Sequence, residues 1–127
     1  MGSGESGQKT VLVVDDYDDV RLVTRRALES FGYRVLEAAS GAEAVKVAHA
    51  DSPDLILMDL SMPAMDGFAT IHQLRRLLGL RLVPVIAVSA HTAKEIRADA
   101  LAAGCCDFIT KPVQIEKLKS VVERHLS

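Results

Sequence analysis

Leu55 to Gly67 read LILMDLSMPAMDG, an apolar run that ends on one carboxylate, Asp59, and passes at once into a Pro-containing loop and a new helix start. A short apolar run bounded by turn signals has the character of a strand buried on both faces, the kind found in parallel sheets. Open α/β sheets build their sites at the carboxyl ends of such strands, where the chain must turn. Asp59 stands at such an end, and the rest of the chain decides whether other residues join it there.

The same pattern recurs on both sides. Upstream, the run VLVV after Thr10 ends on Asp15 and Asp16. Asp18 and Asp19 suit a helix N-terminus, where the dipole favours acids, and Val20, Val23, Ala27, Leu28 and Phe31 recur at helical spacing up to a stop at Gly32. Tyr33 to Ala38 reads as a second strand, and Ser40 with Glu43 forms a capping box for a helix that should end near Ala50, ahead of Pro53. Downstream, Asp66 and Gly67 open a helix carrying Phe68, Ile71, Leu74 and Leu78, with Arg75 and Arg76 as solvated charges matched to its C-terminal dipole. Gly79 and Pro84 bracket a loop, and Val85 to Val88 form a strand that ends on Ser89. Thr92 with Glu95 makes a second capping box for a helix running to Gly104. Asp107 to Ile109 is the last strand, leading to Lys111 and Pro112, and Ile115, Leu118, Val121, Val122 and Leu126 mark a final helix.

Five strands thus alternate with five helices through short loops, which argues for an α/β parallel sheet covered on both faces. The common order for five parallel strands is 2-1-3-4-5, with the first and third side by side at the switch point, ~4.8 Å apart. The 127 residues suffice for one domain. Residues 1–7, MGSGESG, read as a flexible leader or expression scar, leaving 8–127 as the folded unit. A balance of 15 basic and 17 acidic residues gives no general electrostatic reason to bind nucleic acid or anionic lipid. Every apolar run falls well short of the ~20 residues that span a membrane. The adjacent Cys105 and Cys106 suit neither an unstrained disulfide nor a zinc site, and read as reduced thiols of a cytoplasmic protein. His49, His72, His91 and His125 lack ligand spacing and read as surface or packing residues.

With that strand order, Asp15, Asp16 and Asp59 converge in one crevice. Three carboxylates so close must protonate, pair or bind a cation, and an oxygen-only set suits Mg²⁺ better than zinc. The other strand ends supply the hydroxyl of Ser89 and the charge of Lys111. An aspartate beside Mg²⁺, a lysine and a hydroxyl is equipped to accept a phosphoryl group by in-line attack. Taken singly, each acid could merely cap a helix or turn and Ser89 could form a turn. Independent solvated residues have no reason, however, to fall together at the ends of the first, third, fourth and fifth strands.

VLVVDD, LILMDLSMPAMDG, VIAVSA and AGCCDFITKP, in that order, closely resemble the receiver domain of two-component response regulators, over about Lys9 to Leu126. The resemblance implies a doubly wound, flavodoxin-like fold in which Asp59 is phosphorylated by a sensor histidine kinase or a histidine phosphotransfer protein. It implies that Asp16, Asp59 and the backbone carbonyl of Ser61 hold Mg²⁺, with Asp15 acting through water, that Lys111 meets the phosphoryl oxygens, and that the Lys111–Pro112 bond is cis. It further implies a switch: Ser89 moves to a phosphoryl oxygen and Phe108 turns inward, repacking the surface of the fourth helix, fifth strand and fifth helix toward a downstream effector. Phe108 stands where the family more often has Tyr, so with no hydroxyl the switch rests on packing. Ser61 and His91 would flank the path of the water that removes the phosphoryl group, and the first helix, around Val20, Arg21 and Val23, would dock the histidine donor, with Val23 equally placed to face the core.

A haloacid-dehalogenase-like phosphatase uses similar chemistry but carries DxD at its nucleophile, whereas Asp59 is followed by Leu60 and Ser61. A receiver-fold interaction module that works without phosphorylation, and the receiver module of a hybrid histidine kinase, are the other readings.

Overall fold

In the computed structural model, which describes residues 8–60, 67–78, 83–90 and 101–126, each run expected to be a strand is one. β1 (Thr10–Val14), β2 (Arg34–Ala38), β3 (Leu55–Asp59), β4 (Val85–Ser89) and β5 (Asp107–Thr110) form one parallel sheet in the order β2-β1-β3-β4-β5. The helices are α1 (Asp18–Ser30), α2 (Gly41–Asp51), α3 (Gly67–Leu78), α4, described at residues 101–103, and α5 (Ile115–Leu126). The expected doubly wound order is the observed one.

Every residue of β1, β3 and β4 is buried, so alternate side chains serve opposite layers. Leu12, Val14, Ile56, Met58, Val85 and Ala87 meet Ala44 and Ala48 of α2 and Ile71 and Leu74 of α3. Val11, Val13, Leu55, Leu57, Ile86 and Val88 meet Ala27 and Leu28 of α1 and Leu118, Val121 and Val122 of α5. Sliding any strand by one residue would exchange these sets, which locks the register that sets the height of each strand end.

Local signals fix the helix ends. Gly32, at φ +99°, follows α1 in the left-handed conformation, its N–H bonding Glu29 O at 3.0 Å while Tyr33 N–H bonds Leu28 O at 3.1 Å. This is a Schellman closure. Ser40 Oγ accepts from Glu43 N–H at 3.1 Å, and Glu43 reaches back to Ala39 N–H, one residue before the expected reciprocal partner.

One expectation needs correction and two open readings close. Val20, expected to dock a donor, and Val23, which could face either the core or a partner, are 40% and 60% exposed, because the first turns of α1 border a cleft beside Pro112 and Val113 instead of the sheet face. Arg75 is not a solvated helix end. It is half-buried and donates to the carbonyls of Val83, at 3.1 Å, and Gly104, joining the end of α3 to two loops. His125, read as a surface or packing residue, takes the packing role: half-buried, its Nε2 lies 3.0 Å from Asp107 Oδ2, which Arg124 Nη1 also meets at 2.9 Å. The helix start at Asp66, the Thr92–Glu95 capping box, Ser61 and His91 lie outside the described residues.

Candidate functional site

β1 and β3 are neighbours, with Val14 opposite Met58, so Asp15 leaves its strand at the level where Asp59 ends the next one. One carboxylate oxygen from each of Asp15, Asp16 and Asp59 lies within 4.8 Å of the others. Asp15 and Asp59 are buried, 5% and 2% exposed, and Asp16 is partly buried. Lys111, one residue beyond β5, reaches across the sheet end to place Nζ 2.9 Å from Asp59 Oδ2 and 3.7 Å from Asp15 Oδ2. Its backbone N–H donates to Ser89 O at 2.7 Å, and the Lys111–Pro112 bond is cis. Ser89, fully buried at the end of β4, pairs in register with Thr110. The site residues expected at four strand ends therefore lie at one pole of the molecule.

The charges are strained by burial. Loss of solvent pushes the Asp15 carboxyl above its ordinary value, and the neighbouring Asp59 and Asp16 push the same way, against the Tyr17 amide and Lys111. Burial works to lower the Lys111 pKa, but the hydrogen bond and charge of Asp59, with the charge of Asp15, outweigh it and keep the ammonium protonated beyond its usual range. One lysine faces three acids. Asp16 Oδ1 is moreover buried without a hydrogen-bond partner among the described residues, a costly condition for a polar oxygen. Crowded oxygens, excess negative charge and an orphaned acceptor fit a hard divalent cation such as Mg²⁺, for which Asp15, Asp16 and Asp59 are the described donors.

The remaining expected residues divide. Phe108 is half-buried and packs against the α2 and α3 side of the core. Val20 faces outward on α1, whereas Arg21 turns inward, its side chain 14% exposed. Arg21 donates to Asp15 O at 2.7 Å, Asp18 Oδ1 at 2.7 Å and Glu37 Oε1 at 2.9 Å. Glu37 is the functional neighbour that sequence reasoning misses, although an acid set between the apolar Leu36 and Ala38 of a strand was a readable signal.

A model of the response regulator receiver domain family matches residues 11–123. The chain belongs to that family. It is a receiver domain of two-component systems, a class of signalling phosphoacceptors. An uncharacterized 14.6 kDa protein of Leptolyngbya boryana is 37% identical over 118 residues, covering 93% of this chain and 90% of that one. Among solved structures, the Vibrio cholerae chemotaxis protein CheY4 shares 30% identity at a TM-score of 0.87, over 93% of this receiver domain and 98% of CheY4. The receiver domain of the sensor histidine kinase PA1611 from Pseudomonas aeruginosa is 33% identical at a TM-score of 0.85, over 94% and 98% of the two chains, and holds a magnesium ion in its active-site cleft. Several other curated relatives, including the Helicobacter pylori sensor histidine kinase CheAY and the Mycobacterium tuberculosis regulator KdpE, are longer proteins, of which this receiver domain spans 15% and 51%. No helix among the described residues is long and apolar enough to cross a membrane.

Proposed function

We propose that Asp59 is the phosphoacceptor of this receiver domain, taking a phosphoryl group from a phosphohistidine on a sensor kinase or phosphotransfer protein. The observation that carries this is the 2.9 Å contact of Lys111 Nζ with an Asp59 carboxylate that shares its cleft with two further acids. A carboxylate oxygen of Asp59 forms the new P–O bond as the donor's P–N bond breaks and the imidazole departs. Asp16, Asp59 and the Ser61 carbonyl would hold Mg²⁺, with Asp15 assisting through water, and the ion, when bound, would supply positive charge against the transferring oxygens. Lys111 exchanges its contact with Asp59 for the phosphoryl oxygens, and the buried walls keep bulk water from the acyl phosphate. Ser61 and His91 tune the water that eventually removes it.

Ser89 then turns its hydroxyl to a phosphoryl oxygen and Phe108 packs further inward. The resulting change in the surface of α4, β5 and α5 is what a downstream effector reads. The donor docks beside the cleft on the exposed Val20 and Val23 of α1. Two free cysteines fit the expected cytoplasmic setting. Likeness to the PA1611 domain supports a second reading of the output, in which this receiver passes its phosphoryl group onward as the receiver of a hybrid kinase.

Incubation with acetyl phosphate, followed by intact mass, tests the assignment. One phosphoryl adduct that needs Mg²⁺ and vanishes in Asp59→Asn is expected. An adduct that survives in Asp59→Asn would overturn the choice of residue, and none in the wild type would favour an interaction module that works unphosphorylated.

A further inference from the structure

We infer that Arg21 is a positioning residue for the cation site: its guanidinium, held between Glu37 of β2 and Asp18 of α1, grips the Asp15 carbonyl and so aims the Asp16 carboxylate into the cleft. The inference rests on the reading of Asp15, Asp16 and Asp59 as a Mg²⁺ site. Its geometry is independent of that reading. Arg21 Nη1 lies 2.7 Å from Asp15 O, Nη2 lies 2.7 Å from Asp18 Oδ1 and Nε lies 2.9 Å from Glu37 Oε1. Glu37 is itself held by Arg25 through its other oxygen at 2.7 Å. The planar fork of arginine points its N–H donors in fixed directions toward all three acceptors, a spread that the compact ammonium of a lysine does not reproduce.

The peptide from Asp15 to Asp16 is planar, so gripping its carbonyl oxygen also sets the direction in which the Asp16 Cα leaves. Asp15 is fixed at two further points: its N–H bonds Ala38 O at 3.1 Å, and its Oδ1 accepts from Tyr17 N–H at 2.9 Å. Asp16 has no such support at Oδ1, which is buried and unpartnered among the described residues. The aim of that carboxylate therefore comes from its backbone, and Arg21 is the side chain that holds the backbone.

A merely electrostatic role predicts the opposite outcome from a positioning one. A guanidinium beside an acidic cleft repels Mg²⁺, so its removal would tighten binding if charge alone mattered. Loss of an orienting partner typically weakens metal affinity ~10–100-fold. Titration calorimetry with MgCl₂, alongside thermal melts without metal, separates the two. Arg21→Gln and Arg21→Lys are both expected to raise the Mg²⁺ Kd at least ~10-fold. Gly104→Ala, a strained change ahead of β5 at the end of the sheet opposite the cleft, should lower the melting temperature while leaving the Kd close to wild type. The lysine variant, which keeps the charge, decides the matter if the glutamine variant does not fold. Unchanged or tighter binding in the Arg21 variants would overturn the positioning role and leave the Mg²⁺ reading standing, as would equal weakening in Gly104→Ala. Failure of the wild type to bind Mg²⁺ would overturn both.

Discussion

Cys105 and Cys106 are neighbours in sequence and opposites in chemistry. Cys105 is buried, and burial pushes its thiol up to about 11, with the nearby Arg75 charge pulling the other way, whereas Cys106 is exposed. Thiolate is the reactive form, so a native sample at pH 8 treated with a thiol reagent should show rapid loss of one thiol and slow loss of the second. Urea should make both fast, and two equally fast native thiols would contradict the burial of Cys105. At this scale the acids were legible in the sequence and their partners less so. Asp15, Asp16 and Asp59 follow from strand ends alone, because a parallel sheet brings those ends together whatever the side chains do. The grips of Arg75 on Gly104 O and His125 on Asp107 depend on the docking of separate segments, and that of Arg21 on Asp15 O on how the chain turns from β1 into α1. No local spacing encodes them.

Two glycines close helices, and they separate the cost of an element's end from the cost of its docking. Gly32 sits at φ +99° with open space where a Cβ would project, so Gly32→Ala should lose only the left-handed backbone penalty, ~1 kcal/mol. Gly104 sits at φ +109°, and a Cβ there would lie 2.9 Å from Arg75 Nε. The arginine would have to yield its hold on Val83 O and Gly104 O, each such bond being worth a net ~0.5–1.5 kcal/mol. Gly104→Ala should therefore cost ~2–4 kcal/mol in urea unfolding, clearly more than its counterpart. Equal losses would mean that the Arg75 clamp contributes little to stability. The ends of α1 and α2 were legible from Gly32 and from Ser40 with Glu43 because a cap is a local device. The direction in which Val23 faces was not, since helical spacing marks a stripe but not where the sheet beneath it stops.

Across the whole molecule the site pole works against the fold that carries it. Two buried layers fix the strand ends, and those ends crowd three carboxylates around one lysine. Because the Asp15 pKa is raised on folding, the folded chain holds that proton more tightly than the unfolded one. Without metal, this group makes stability fall as pH rises from the ordinary carboxylate value through the raised one, and the cost is fully present above it. Asp107 contributes with the opposite sign: burial would raise its pKa, but His125, the Phe108 amide and Arg124 hold it low, so its stabilisation is lost on acidification. A cation that binds only the folded cleft should offset the repulsion, by ~1.4 kcal/mol at ten times its Kd. Asp15→Asn, whose amide oxygen can still accept from Tyr17 N–H, should accordingly be more stable than wild type in EDTA at pH 7 and gain less from MgCl₂. Urea denaturation of both proteins with and without Mg²⁺ measures the four stabilities. A less stable Asp15→Asn in EDTA would show that the packing and pairing of Asp15 outweigh the repulsion, and an undiminished gain from MgCl₂ would remove Asp15 from the cation site.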